Sequence, residues 1–185
     1  MEVKRINAPL SDADIMELQA GDNVLISGGI YTARDAAHKK LVQLLEEGRE
    51  LPVDLMGQIL YYVGPTPAKP GQAVGSAGPT TSGRMDPYTP ALLQYGVKAV
   101  IGKGSRSEAV CQALKENRAV YLAATGGAGA LLARKITSAE VAAYEELGPE
   151  AVRRLEVQDF PATVVNDAYG RDLYQEGRSQ YTQEK

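Results

Sequence analysis

Between Gly64 and Pro90 the chain reads GPTPAKPGQAVGSAGPTTSGRMDPYTP, a stretch rich in Gly, Pro, Ser and Thr and nearly empty of large aliphatic side chains. Its composition is that of a linker or a disordered tract. Apolar segments nevertheless bound it on both sides: a strand candidate, Gln58 to Val63 (QILYYV), and a helix candidate near Thr89 to Tyr95. A segment this long without regular structure is uncommon inside one domain, and where ordered it is usually functional. The expectation is therefore an ordered site loop over residues 64–90 within a single domain of residues 1–185. At 185 residues the chain is long enough to bury a real core and short enough not to divide.

The flanking sequence alternates strand-like and helix-like segments. Val3 to Ala8 reads as an opening strand, and Ser11 with Asp14 gives a capping-box start to a short helix. Asn23 to Ser27 reads as a strand closed by a Gly28-Gly29 turn. Thr32, with Asp35 three residues on, is expected to cap a helix whose apolar positions Ala33, Ala37, Leu41, Leu44 and Leu45 keep helical spacing. Val97 to Ile101 and Ala119 to Ala124 read as short strands. Ser105 and Glu108 are expected to start a helix ending near Asn117, and Gly126-Gly127 to open another through Arg134. A helix over Ser138 to Glu146, strands at Leu155 to Gln158 and Ala162 to Val165, and a frayed polar tail over 177–185 complete the expectation. Strands interleaved with helices in this way give an α/β layered fold. No repeat of fixed period is present.

Composition narrows the chemistry. With 44% hydrophobic and 23% charged residues the chain is average for a globular protein, which argues against a disordered, collagen-like or disulfide-scaffold protein. A net charge of −3 gives no electrostatic footprint for nucleic acid or an anionic membrane surface. No apolar run approaches the roughly 18 residues of a spanning helix, and the start lacks a secretory h-region. A single cysteine, Cys111, excludes an internal disulfide and sets a reducing, cytoplasmic compartment as the expectation. One cysteine and one histidine, His38, also leave no metal ligand set in this chain alone, whether for a Cys-based zinc site or an iron–sulfur cluster.

Three cations stand beside a helix start or among glycines: Arg34, Arg84 in Gly78-Pro-Thr-Thr-Ser-Gly-Arg-Met-Asp86, and Lys103 in Gly102-Lys-Gly104. Free backbone N–H groups and helix dipoles favour anions at such places, and arginine adds a two-pronged fit to carboxylate. Arg34 or Lys103 alone is equally readable as a solvated surface charge; the three cations together suggest a small polyanion such as a dicarboxylate. His38 is read as a packing or supporting residue rather than a ligand, Cys111 as a small core residue, and the Tyr61-Tyr62 pair as strand packing. Asp86 reads as the start of the following helix, with Pro87 at its first position. Gly102-Lys103-Gly104 is not a P-loop, because no hydroxyl residue follows the lysine. Gly126-Gly127-Ala128-Gly129 fails the dinucleotide fingerprint at Leu132 and is better explained by tight strand–helix packing.

Four blocks occur in order: Ala33-Arg-Asp-Ala-Ala-His38, Gly78 to Asp86, Gly102-Lys-Gly-Ser-Arg-Ser107 and Ala124-Thr-Gly-Gly-Ala-Gly129. Together they resemble the β subunit, or C-terminal domain, of class I iron–sulfur hydro-lyases, namely fumarate hydratase and L(+)-tartrate dehydratase. The resemblance covers nearly the whole chain, and the Gly-Pro-Thr-Thr block is its most specific part. It implies a swivelling β/β/α domain and reversible hydration of fumarate to L-malate, with tartrate or mesaconate (methylfumarate) as alternative substrates. It also implies a cysteine-rich α subunit holding a [4Fe–4S] cluster whose open iron acts as Lewis acid on the leaving hydroxyl. By position, Arg34 and Arg84 match the family's substrate-carboxylate arginines and Lys103 its substrate-contacting lysine. Thr80 matches the threonine that exchanges the proton next to a carboxylate, with Thr81 one residue away as substrate contact. His38 and Asp86 then stand behind these residues as supports. A different class of reading, a non-catalytic carboxylate-binding or assembly domain, stays open beside it.

Overall fold

Three short strands, β3 (Ile59–Tyr61), β4 (Ala99–Gly102) and β5 (Val120–Ala123), are apolar on both faces because the fold covers both. Alternation splits them cleanly. Ile59, Tyr61, Ala99, Ile101, Val120 and Leu122 join one buried cluster; Leu60, Val100 and Tyr121 join a second. The computed structural model describes residues 3–182. Its other strands are β1 (Val3–Ala8), β2 (Asn23–Thr32), β6 (Ile136–Ala143) and β7 (Val152–Asn166). The sheet runs β1-β2-β3-β4-β5-β7-β6 with a further β2–β7 pairing. Strands β2 to β5 are parallel neighbours, while β7 is antiparallel to both β5 and β2 and so closes the sheet into a barrel. Closure runs through β2 to β5 and β7, and β1 and β6 stay outside it, each paired on one side.

The first cluster fills the barrel; the second lies under helices α2 (Asp35–Glu46), α3 (Thr89–Tyr95) and α4 (Glu108–Glu116) through Leu41, Leu92, Leu93, Val110 and Leu114. The remaining helices, α1 (Asp12–Met16), α5 (Gly129–Ala133) and α6 (Leu173–Ser179), are short. Among the described residues no helix is long and apolar enough to cross a membrane. The architecture is a single α/β domain built on a closed sheet.

Several local expectations are corrected. Ser138 to Glu146 is not a helix: β6 pairs antiparallel with β7, and its helix-prone alanines and glutamates are overridden by that pairing. The two strands expected at 155–158 and 162–165 are parts of the one long β7. Gly28-Gly29 is no turn; β2 continues through it across a register shift, and Gly28 (φ 100°) lies where an added Cβ would meet the Ala8 carbonyl oxygen at 2.8 Å. Thr32 ends β2 instead of capping α2; its hydroxyl donates to the Ala151 carbonyl and accepts from the Arg153 N–H. Ser107, rather than Ser105, caps α4, and α5 begins at Gly129. Residues 173–179 form α6, capped by Asp172, in place of the expected fraying from Gly177, and residues 183–185 lie outside the described residues. The capping box at Ser11 and Asp14 forms as the sequence predicts.

Candidate functional site

Parallel neighbours deliver their C-terminal ends to one edge of a sheet, which is where ligands bind in α/β folds. Here β2, β3, β4 and β5 are four such neighbours. The segments that leave them carry Arg34, the 64–90 loop, Lys103 and the Gly126–Gly129 block respectively. Sequence blocks far apart along the chain thus emerge on the same rim.

The two arginines meet over one carboxylate. Arg84 sits in a 3₁₀ helix, Ser82–Met85, and donates from Nε to Asp35 Oδ1 (3.0 Å) and from Nη2 to Asp35 Oδ2 (2.8 Å). Arg34 is the N-cap of α2 and brings its Nε to 3.9 Å from the same Oδ2. Its Nη2 pairs with Glu150 Oε1 at 3.3 Å, and Glu150 Oε2 accepts from the Ala36 N–H at 3.0 Å, supplying from elsewhere in the chain the cap that Thr32 does not. Gly64 keeps room for this arginine, since a Cβ there would lie 2.7 Å from Arg34 Nη1. Asp35 and Glu150 were not candidates from sequence; that two of the three cations are paired follows only from the fold.

Lys103 and the threonines form a second group, joined through the backbone. The Thr80 N–H donates to the Tyr62 carbonyl (2.7 Å), the Lys103 N–H to the Thr80 carbonyl (3.3 Å) and the Ser82 N–H to the Lys103 carbonyl (2.8 Å). Thr80 is half-buried and Thr81 exposed. The Lys103 side chain runs beside Gly126, whose added Cβ would lie 3.5 Å from Lys103 Cδ. Gly129 approaches the loop itself rather than a strand: the Ala77 N–H donates to its carbonyl, and a Cβ there would meet Ser76 Oγ at 2.5 Å.

Beneath the rim lies a polar network that the sequence reading missed. Arg106, whose side chain is fully buried, donates from Nε to Asp86 Oδ1 (2.8 Å) and from Nη2 to Thr89 Oγ1 (2.8 Å), and stacks over the rings of Tyr62 and Tyr121. Thr89 Oγ1 donates to the Met85 carbonyl, so the Tyr62 hydroxyl 2.9 Å away donates to Thr89. Burial pushes the Tyr121 phenol up, keeping it protonated; it donates to the Gly104 carbonyl and so accepts from Ser82 Oγ. Asp86 does not start α3, which begins at Thr89 after Tyr88; its Oδ2 accepts the Ser107 N–H and ties the loop to α4. Signals for this network existed: Tyr62 and Tyr121 occupy the helix-facing phase of their strands, and a buried hydroxyl needs a partner.

His38 is fully buried, edge-on to Tyr62. Its Nδ1 lies 2.9 Å from the Arg34 carbonyl, which only accepts, so Nδ1 carries the proton and Nε2 is left without a hydrogen-bond partner. Burial, aided by the charge of Arg106 and opposed by the Arg34 carbonyl and Asp35, pushes its pKa down to about 4. The unfolded chain binds this proton more readily, so stability is expected to fall as pH drops from 6.5 toward about 4, by up to about 3 kcal/mol. Urea unfolding at stepped pH checks this: His38→Gln should flatten that interval, and an unchanged slope would remove His38 as its source.

Cys111 on α4 is half-buried, burial pushes its thiol up, and its Sγ accepts weakly from Asn166 Nδ2 at 3.5 Å. Among the described residues no three His, Cys, Asp or Glu side chains gather as a metal-holding group. This donor set does not fit an iron–sulfur cluster.

Residues 1–177 match the family model described as the fumarase C-terminus. A Geobacillus stearothermophilus protein provisionally named a class I fumarate hydratase is 43% identical over 176 residues, covering 92% of this chain and 33% of that one. The anaerobic class I fumarate hydratase of Escherichia coli K12 is 38% identical over 175 residues, covering 92% and 32%. A Methanocaldococcus jannaschii protein provisionally named L(+)-tartrate dehydratase subunit beta is 39% identical over 173 residues, covering 90% and 89%. The chain thus spans about a third of the length of these two fumarate hydratases and nearly all of the tartrate dehydratase subunit. With its four blocks on one sheet edge and a family match over almost its full length, the chain belongs to the fumarase C-terminus family.

Proposed function

We propose that this chain is the β subunit of a two-part hydro-lyase that interconverts fumarate and L-malate, supplying the carboxylate-binding and proton-transfer side of the site. The observation that carries the reading is the delivery of Arg34, Thr80, Arg84 and Lys103 to one rim by the ends of β2, β3 and β4. Arg34 and Arg84 bind the substrate carboxylates, with Thr81 at their side. Dehydration of malate takes a proton from C3 and hydroxide from C2; the electron pair left at C3 spreads into the neighbouring carboxylate before it forms the double bond. Thr80 carries the C3 proton. An unassisted threonine is a poor base, and the cations of Lys103 and Arg84 lower the cost of its alkoxide and of the carbanion-like transition state. His38 and Asp86 support this rim from behind, through the Arg34 carbonyl and through Arg106.

The [4Fe–4S] cluster implied by the resemblance falls to a cysteine-rich α subunit, since this chain brings one half-buried cysteine. We further read the closed sheet with its helical layer as the swivelling β/β/α form, and the lone Cys111 as fitting a reducing cytoplasm. One observation favours a second substrate: the tartrate dehydratase relative matches this chain over 89% of its own length, as a separate subunit would. Pocket shape at one methyl or hydroxyl decides between such substrates.

The test is turnover by the chain alone and with a cysteine-rich partner, on fumarate, malate, mesaconate and both tartrates. The chain alone is expected to be inactive and the complex to hydrate fumarate. Activity without a partner would refute the division of labour; turnover of tartrate alone would transfer the assignment to the second substrate. Complex formation sensitive to Thr80→Val while turnover is not would reduce the chain to an assembly domain.

A further inference from the structure

A guanidinium has two edges that can each grip a carboxylate, Nε with Nη2 and Nη1 with Nη2. Asp35 occupies the first edge of Arg84, at 3.0 and 2.8 Å. Trigonal geometry at Cζ then turns the second edge about 120° from the first and leaves it clear of Asp35. We propose that Asp35 is a positioning residue that presents the Nη1/Nη2 edge of Arg84 to the substrate carboxylate; the inference rests on the reading that Arg84 binds substrate.

The need for such a residue follows from where Arg84 stands. It is half exposed, on a single 3₁₀ turn within a glycine-rich loop, where a free arginine samples many rotamers. Asp35 is better anchored. It is the first residue of α2, and its Oδ2 also faces Arg34 Nε at 3.9 Å. Arg34 is held more closely by Glu150, through Nη2 at 3.3 Å, so the grip of Asp35 falls on Arg84. Asp35 also places a negative charge near an anionic substrate, which weakens ground-state attraction. A residue that costs attraction but fixes orientation should act on kcat and not on KM.

The experiment uses the complete enzyme with its partner and compares Asp35→Asn, Arg84→Ala and the double variant. Asp35→Asn is expected to lower kcat roughly 10- to 100-fold with KM unchanged or lower, and to leave the thermal midpoint nearly in place. In the Arg84→Ala background the same change should alter kcat by less than about twofold, because its effect runs through Arg84. Equal kcat losses in both backgrounds, or an Asp35→Asn enzyme whose kcat stays at the wild-type level, would overturn the inference. If Arg84→Ala loses activity while Asp35→Asn does not, only the positioning role fails. If Arg84→Ala keeps wild-type kcat/KM, the substrate role of Arg84 fails and this inference with it.

Discussion

Replacing Arg84 with alanine in the assembled enzyme is expected to lower kcat/KM by roughly 2–4 kcal/mol of transition-state stabilisation, about 30- to 1,000-fold. The magnitude is that of removing one preorganised donor aimed at developing charge. Stability should barely move. Arg84 is half exposed, and its pair with Asp35 is a surface pair of the kind worth about 0–1 kcal/mol. The two readouts therefore separate: steady-state kinetics on fumarate and malate should show the loss, and a thermal melt should not. A near-wild-type kcat/KM would take Arg84 out of the site.

Arg106→Met should do the reverse, acting first on the fold. The guanidinium is fully buried between Asp86, Thr89 and two tyrosine rings, and methionine fills similar volume without the charge. Asp86, itself only 15% exposed at its side chain, would keep a carboxylate with no cation beside it. Breaking a buried pair from one side costs about 3–5 kcal/mol, most of it the penalty on the charge left behind. Denaturant unfolding measures it, and Asp86→Asn added to Arg106→Met should recover part of the loss because the orphan charge is gone. A cost for the single variant no larger than that of an exposed arginine would show that the pair does not hold the loop end against α4.

The sequence was most legible where side-chain periodicity is local. The runs at Gln58–Val63 and Ala119–Ala124 contain β3 and β5, the run at Val97–Ile101 covers all of β4 but Gly102, and the Ser11 capping box is a contact three residues long. It failed where a distant partner overrides local preference. Ser138–Glu146 has helix-forming composition, yet its stretch to Ala143 pairs with β7, and Thr32 looks like a cap yet bonds across to residues 151 and 153. Arg106 stood in the quoted Gly102–Ser107 block without a role, because a lone arginine gives no local sign that it will be buried.

Sequence alone determined the α/β alternation and the chemical types in four blocks, along with a cysteine count too low for a cluster, because composition and periods of two and 3.6 residues are properties of neighbouring positions. Tertiary structure decided that β2 to β5 lie side by side and parallel, that β7 closes them, and that Asp35 grips an arginine 49 residues away. These depend on which strands pair and which charges lose their water together, energies that exist only once the chain has closed on itself.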